Sequence, residues 1–166
     1  MNLKEKKQEL EATAFYKEWK QKHPDTYLAH FFIISDTDVQ LGYYEQATDT
    51  IWTFTPGITN IAEDKEIFKE EKTIPELDIA KVQISVEEAK QKAQEYQKEK
   101  YPSDPISKDI VVLQTIDGKA IYNMTLITLT FKMLNLRIDA TTGEVVLEKM
   151  QPIMNLVQTF ENKKKD

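Results

Sequence analysis

The stretch LNLRIDATTGEVVLEK, Leu134 to Lys149, decides the fold. It reads as a strand, a tight turn and a second strand. Gly143 suits a turn position with positive φ, which a residue without a Cβ adopts freely. If Asp139 pairs with Glu144, then Leu134, Leu136, Ile138, Val145 and Leu147 share one face, because side chains alternate along a strand. A looser echo, LGYYEQATDTIWTF, spans Leu41 to Phe54. In the same register it places Leu41, Tyr43, Trp52 and Phe54 on one face.

Upstream of each hairpin lies a helical pattern. Ala12, Phe15, Tyr16 and Trp19 form one apolar stripe at helical spacing, which predicts a helix over Leu3–Lys22. Pro24 ends it, because the residue before a proline is pushed out of the helical region. The aromatic and branched run TYLAHFFII reads as a buried strand. SDTD, Ser35 to Asp38, turns the chain. In the second half, Ser85 and Glu88 have the spacing of a capping box. Val86, Ala89, Ala93 and Tyr96 follow on one helix face. Asp117-Gly118 is a strong two-residue hairpin signal.

Strand residues 120–131 carry apolar side chains on both faces. Tyr122, Met124 and Leu126 fall on one, and Ile121, Ile127, Leu129 and Phe131 on the other. An antiparallel sheet open to water on one side alternates apolar with polar, so both faces are expected to be covered. The last stretch, PIMNLVQTF, reads as a helix opening at Pro152. Its stripe Ile153, Leu156, Val157 and Phe160 is expected to cover the second sheet or its edge and to tie the two units into one.

Helix followed by antiparallel strands, twice, predicts an α+β fold. The expectation is two repeated units, each a helix packed on an antiparallel β-sheet, with a C-terminal amphipathic helix. Residues 1–57 form the first, degenerate unit and 58–81 a charged connector. Residues 82–150 form the second unit, and 151–166 the C-terminal helix and basic tail.

Composition excludes several functions. The chain has 166 residues and a formal net charge of -6. Nucleic-acid binding is not expected, since it needs clustered cations to displace counterions. The one dense basic run, Lys163 to Lys165, reads as a solvated tail. Cysteine is absent, which removes disulfides, thiolate metal sites and thiol catalysis. No apolar run reaches the roughly 20 residues that span a bilayer. Met1 opens a polar segment, so the chain as given shows no signal peptide.

Three stretches carry a family resemblance: ISVEEAKQKAQEY, DGKAIYNMTL and LRIDATTGEVV. Together they resemble the PepSY domain, with its capped helix starting Glu-Glu-Ala, its Asp-Gly hairpin and its closing Asp-Ala-x-x-Gly-Glu-Val. The matching residues are Ser85, Glu87, Glu88, Ala89, Asp117, Gly118, Asp139, Ala140, Gly143, Glu144 and Val145. The resemblance covers residues 81–149. In the earlier hairpin Thr50 stands where the turn glycine would be. The resemblance implies a non-catalytic module of the kind found in propeptides of thermolysin-like metallopeptidases, in membrane-anchored envelope proteins and in spore-germination proteins. It implies an extracytoplasmic location, secreted or membrane-anchored, and a protein partner such as a peptidase.

No residue cluster reads as an active site. The four glycines lie far apart, so no phosphate-cradling loop exists. His23 and His30 show no metal-ligand spacing, and His30 reads as a packed histidine within a strand. Asp36 and Asp38 lack the further ligands of a calcium loop. Asn123 to Thr125 matches a glycosylation acceptor only by pattern, in mid-strand. Neither an enzyme activity, a metal nor a cofactor is expected. Tyr44 and Trp52 are the candidate partner contacts, since aromatics dominate interface anchors. The leading reading is a protein-interaction module that works through an exposed sheet edge and these aromatics. The alternative is a small-molecule or lipid carrier, with a pocket lined by Tyr27, Phe31, Tyr43 and Trp52.

Overall fold

The computed structural model describes residues 1–34, 36, 38–65, 73–155 and 162. Its elements in chain order are helices α1 (Leu3–Ala12) and α2 (Ala14–Lys22), then strands β1 (Tyr27–Ile33), β2 (Val39–Glu45), β3 (Thr50–Phe54) and β4 (Ile61–Asp64). A 3-10 turn at Ile79–Lys81 precedes helix α3 (Val86–Lys100). Strands β5 (Ile106–Ile116), β6 (Lys119–Thr128), β7 (Lys132–Asp139) and β8 (Val145–Pro152) complete the fold.

The strands form one continuous eight-stranded antiparallel sheet in the order β4-β3-β2-β1-β5-β6-β7-β8. The expectation of two repeated helix-on-sheet units is therefore corrected. The reason is a single pairing. His30–Ile33 of β1 lie antiparallel to Gln114–Val111 of β5. Each of those strands would otherwise be a bare edge with unpaired backbone groups. Joining them replaces two edges with one sheet. All three helices lie over one face of it, and Leu10, Tyr16, Trp19, Ala89 and Ala93 share a single core with Phe31, Leu41, Leu113 and Leu136.

The first helix also differs from expectation. It breaks at Thr13, whose backbone is extended at φ -70 and ψ 145. The Thr13 hydroxyl donates to Leu10 O at 2.7 Å and accepts from the Tyr16 amide at 3.1 Å, so one side chain closes α1 and caps α2. The break leaves Ala12 exposed, while Tyr16 and Trp19 still reach the core.

α3 is capped as its sequence predicts. The Glu88 amide donates to Ser85 Oγ at 3.1 Å, and the Ser85 amide donates to Glu88 Oε2 at 2.7 Å. Asp117 and Gly118 both have positive φ, as the tight β5–β6 turn requires. In the next turn Asp139 Oδ1 accepts from the amides of Thr141 and Thr142, and Gly143 has φ +78.

Registers decide two further details. In β2–β3, Leu41 faces Phe54 and Tyr43 faces Trp52, which puts all four on the helix side. In β7–β8 a bulge shifts the register between Arg137 and Ile138. Val145 then faces Ile138 as expected, but Leu147 faces Arg137 on the other side of the sheet. The extra residue of a bulge reverses the alternation beyond it. β6 ends at Thr128, so Leu129 and Phe131 belong to an exposed turn rather than to a covered strand face.

The segment 58–81, read as a connector, holds β4 and the 3-10 turn. β8 runs through Pro152, and Ile153–Asn155 is helical. Leu156, Val157 and Phe160 of the expected stripe, and the tail Lys163 to Lys165, lie outside the described residues. Among the described residues no helix is long and apolar enough to cross a membrane.

Candidate functional site

Three places gather polar or exposed groups. The first lies where α2 meets the β2–β3 hairpin. Glu45 ends β2, and its Oε1 stands 3.1 Å from His23 Nδ1. Its Oε2 accepts from Trp52 Nε1 at 3.1 Å and from Thr48 Oγ1 at 3.0 Å. The His23 ring stacks on Trp19 at 5.3 Å and lies 4.5 Å from the Trp52 ring. Burial pushes the Glu45 carboxyl up, but the hydrogen bonds from His23, Trp52 and Thr48 outweigh it and hold the group below its ordinary value. The Thr48 hydroxyl is spent on Glu45 and not on His23, so the cluster does not assemble a nucleophile with its base. It locks Trp52 in place.

Tyr44 is not a surface anchor. It is 1% exposed and donates from its hydroxyl to Asp49 Oδ1 at 2.6 Å. Both faces of β2 are covered: Tyr43 packs under the helices, while Tyr44 packs with Ala29 and Ile51 beneath Tyr27 and Ile74. The Tyr27 hydroxyl fastens that cover by donating to Ile74 O at 2.5 Å. The sequence signal for this lay in the connector, where Ile74 stands among charges.

The second place is a cleft of about 480 Å³ between α1, α2, β1, β2 and residues 76–79. The hydroxyls of Tyr43 and Tyr16 both donate to Glu11 Oε1, at 3.0 and 3.4 Å, and Lys7 pairs with Glu11 Oε2 at 2.7 Å. Burial, then the nearby Glu11 charge, pushes the Tyr16 phenol up to about 12. Burial raises Tyr43 further still. Both phenols therefore stay protonated at neutral pH and act as donors, not bases. Of the residues expected to line a carrier pocket, Tyr27 and Tyr43 border this cleft. Phe31 is fully buried in the core, and Trp52 is held against His23.

The third place is the free edge of the sheet. Among the described residues β8 has a neighbour on one side only. Val146 and Leu147 near its start are 48% and 38% exposed. At the opposite edge β4 has four residues and ends in Glu63 and Asp64, with Lys65 pairing to Glu63 at 3.2 Å. Short length is one usual protection of an edge, and β8 is longer at eight residues, with its charges and proline, Glu148, Lys149 and Pro152, all beyond Leu147. Among the described residues no group of three or more His, Cys, Asp or Glu side chains is placed to hold a metal ion.

No family model matches this chain, and no curated protein matches it by sequence. Among solved structures it is similar to a crystal structure described as a putative lipoprotein from Clostridium difficile 630. The TM-score is 0.53 at 13% identity, over 81% of this chain and 89% of that one. A likeness at that identity concerns the fold alone.

Proposed function

We propose that the chain is a non-enzymatic, PepSY-like interaction module that acts outside the cytoplasm and engages a peptidase or another envelope protein. The free, partly apolar edge of β8 carries this reading. An extended segment of a partner adds there as a ninth strand, with backbone hydrogen bonds giving affinity and Val146 and Leu147 giving apolar contact. The residues that carry the family resemblance are spent on the fold itself. Ser85 and Glu88 cap α3, and Asp139 and Gly143 shape the β7–β8 turn. That use fits a module without chemistry of its own. The description of the structural neighbour as a putative lipoprotein is in keeping with an extracytoplasmic place.

The test is to titrate the purified chain into a thermolysin-type metallopeptidase that is cleaving a chromogenic peptide. The expected result is saturable slowing of cleavage. It weakens when Val146→Lys and Leu147→Lys place charge on the edge. A cleavage rate unchanged by an excess of folded chain overturns the peptidase reading.

A further inference from the structure

The antiparallel strands put alternate turns at opposite ends of the sheet. The end of β1 at Ile34, turns 55–60 and 129–131, and the exit from β8 share one end. Among the described residues, five of the seven large apolar side chains that stand exposed lie at that end: Ile34, Ile58, Leu129, Phe131 and Met154, between 50 and 79% exposed. Phe131 is the most exposed of them and has φ +59. A three-residue hairpin loop normally places glycine at such a position. A bulky side chain there is strained, and strain kept in an exposed turn points to use.

Several polar groups of this turn are already satisfied from within. The Leu129 amide donates to Pro105 O at 2.9 Å, and the Phe131 amide to Thr128 O at 3.3 Å. Phe131 O accepts from the Ile153 amide at 3.0 Å, which brings Met154 beside the turn. Thr130 Oγ1 donates to Asp104 Oδ1 at 2.5 Å, and Lys132 pairs with Asp104 at 3.0 Å. A group that enters a water-poor medium must leave no such donor or charge unpaired. These groups meet that condition, while the apolar side chains of Leu129 and Phe131 stand 64 and 79% exposed.

We propose that the Leu129–Phe131 turn, with Met154 beside it, inserts into the interface of a lipid bilayer and seats this end of the sheet on it. The attraction is apolar. The charges at the base of the turn cancel in the Lys132–Asp104 pair, and the whole chain is acidic at -6. Binding therefore needs no anionic lipid and survives high salt. It depends on neither the β8 edge nor a peptidase.

The chain has no cysteine, so one introduced thiol takes a label cleanly. An environment-sensitive fluorophore is attached to the full chain carrying Leu129→Cys. A second preparation carries Glu144→Cys, in the turn at the opposite end. Phosphatidylcholine vesicles are then added at low and high salt. The Leu129→Cys label is expected to shift to the blue at both salts, and the Glu144→Cys label not to respond. Phe131→Gly separates function from folding. It relieves the backbone while removing the ring, so its melting temperature holds or rises while vesicle partition weakens roughly tenfold. No response from the Leu129→Cys label, an equal response from Glu144→Cys, a response abolished by salt, or full partition of Phe131→Gly each overturns the proposal. The first of these outcomes would assign the tip to a protein partner instead.

Discussion

The imidazole of His30 lies against the bare Cα of Gly42, across the β1–β2 pairing. A Cβ built on Gly42 would stand 2.2 Å from His30 Cε1 and 2.5 Å from Nε2. The glycine is there for close approach and not for an unusual backbone angle. Gly42→Ala is expected to destabilise the fold by about 1–3 kcal/mol, because the ring must leave its packed position. A double-mutant cycle checks this. With His30→Ala in the background, the added cost of Gly42→Ala should fall well below its cost alone.

His30 also predicts a pH dependence. Burial lowers its pKa to about 4, from an ordinary value near 6.5. Between those values the unfolded chain binds a proton that the folded chain does not. Stability therefore rises with pH through this window and is lost as pH falls through it, by on the order of 3 kcal/mol in full. Urea midpoints measured at several pH values should show the slope in the native chain. In His30→Gln the slope between about pH 4 and 6.5 should flatten. An equal slope in both would place the effect elsewhere.

Gly143 is constrained by its backbone. At φ +78 a β-branched residue is strained, and a Cβ there also meets Lys92 Cε at 2.8 Å. The lysine end can swing away, so the backbone sets the cost. Gly143→Val is expected to lose more than about 1 kcal/mol, whereas Gly143→Asn should lose less, since asparagine tolerates this region. Chemical denaturation of the two variants side by side gives the comparison.

The α3 cap is a separable contribution. Ser85→Ala removes the acceptor for the Glu88 amide and should cost about 1 kcal/mol. Glu88→Ala removes the reciprocal bond to the Ser85 amide. Because the two bonds form one box, the double variant should cost less than the sum of the single ones.

What was legible in the sequence followed from local chemistry. Asp117-Gly118, Gly143 and the Ser85–Glu88 pair each announce a backbone geometry within a few residues, and each takes that geometry. The alternation in β2 and β3 was equally plain and fixed which side faces the helices. Thr13 was missed because the apolar stripe runs through the break without a gap in its period. Leu147 was misplaced because a bulge leaves no mark in composition. The single sheet was missed for a deeper reason. His30–Ile33 and Val111–Gln114 look the same whether they form an outer edge or a shared seam. The burial of Tyr44 depended on Ile74, some thirty residues away, reaching across the second face. The exposed tip at Phe131 was hidden by reading β6 as longer than it is.

The seam between β1 and β5 sets the order of assembly. Every other strand pairing joins consecutive strands and closes through a short stretch of chain. The residues that meet across the seam are roughly eighty apart in sequence. Distant contacts pay their loop-closure entropy before they return any stability, so this pairing governs the folding rate. Phe31 and Leu113 face one another across it, both fully buried. Trimming either side chain should slow refolding, while equal losses in the outer hairpins should mainly hasten unfolding. Four residue pairs at the middle of the sheet thus act as the kinetic gate for all eight strands.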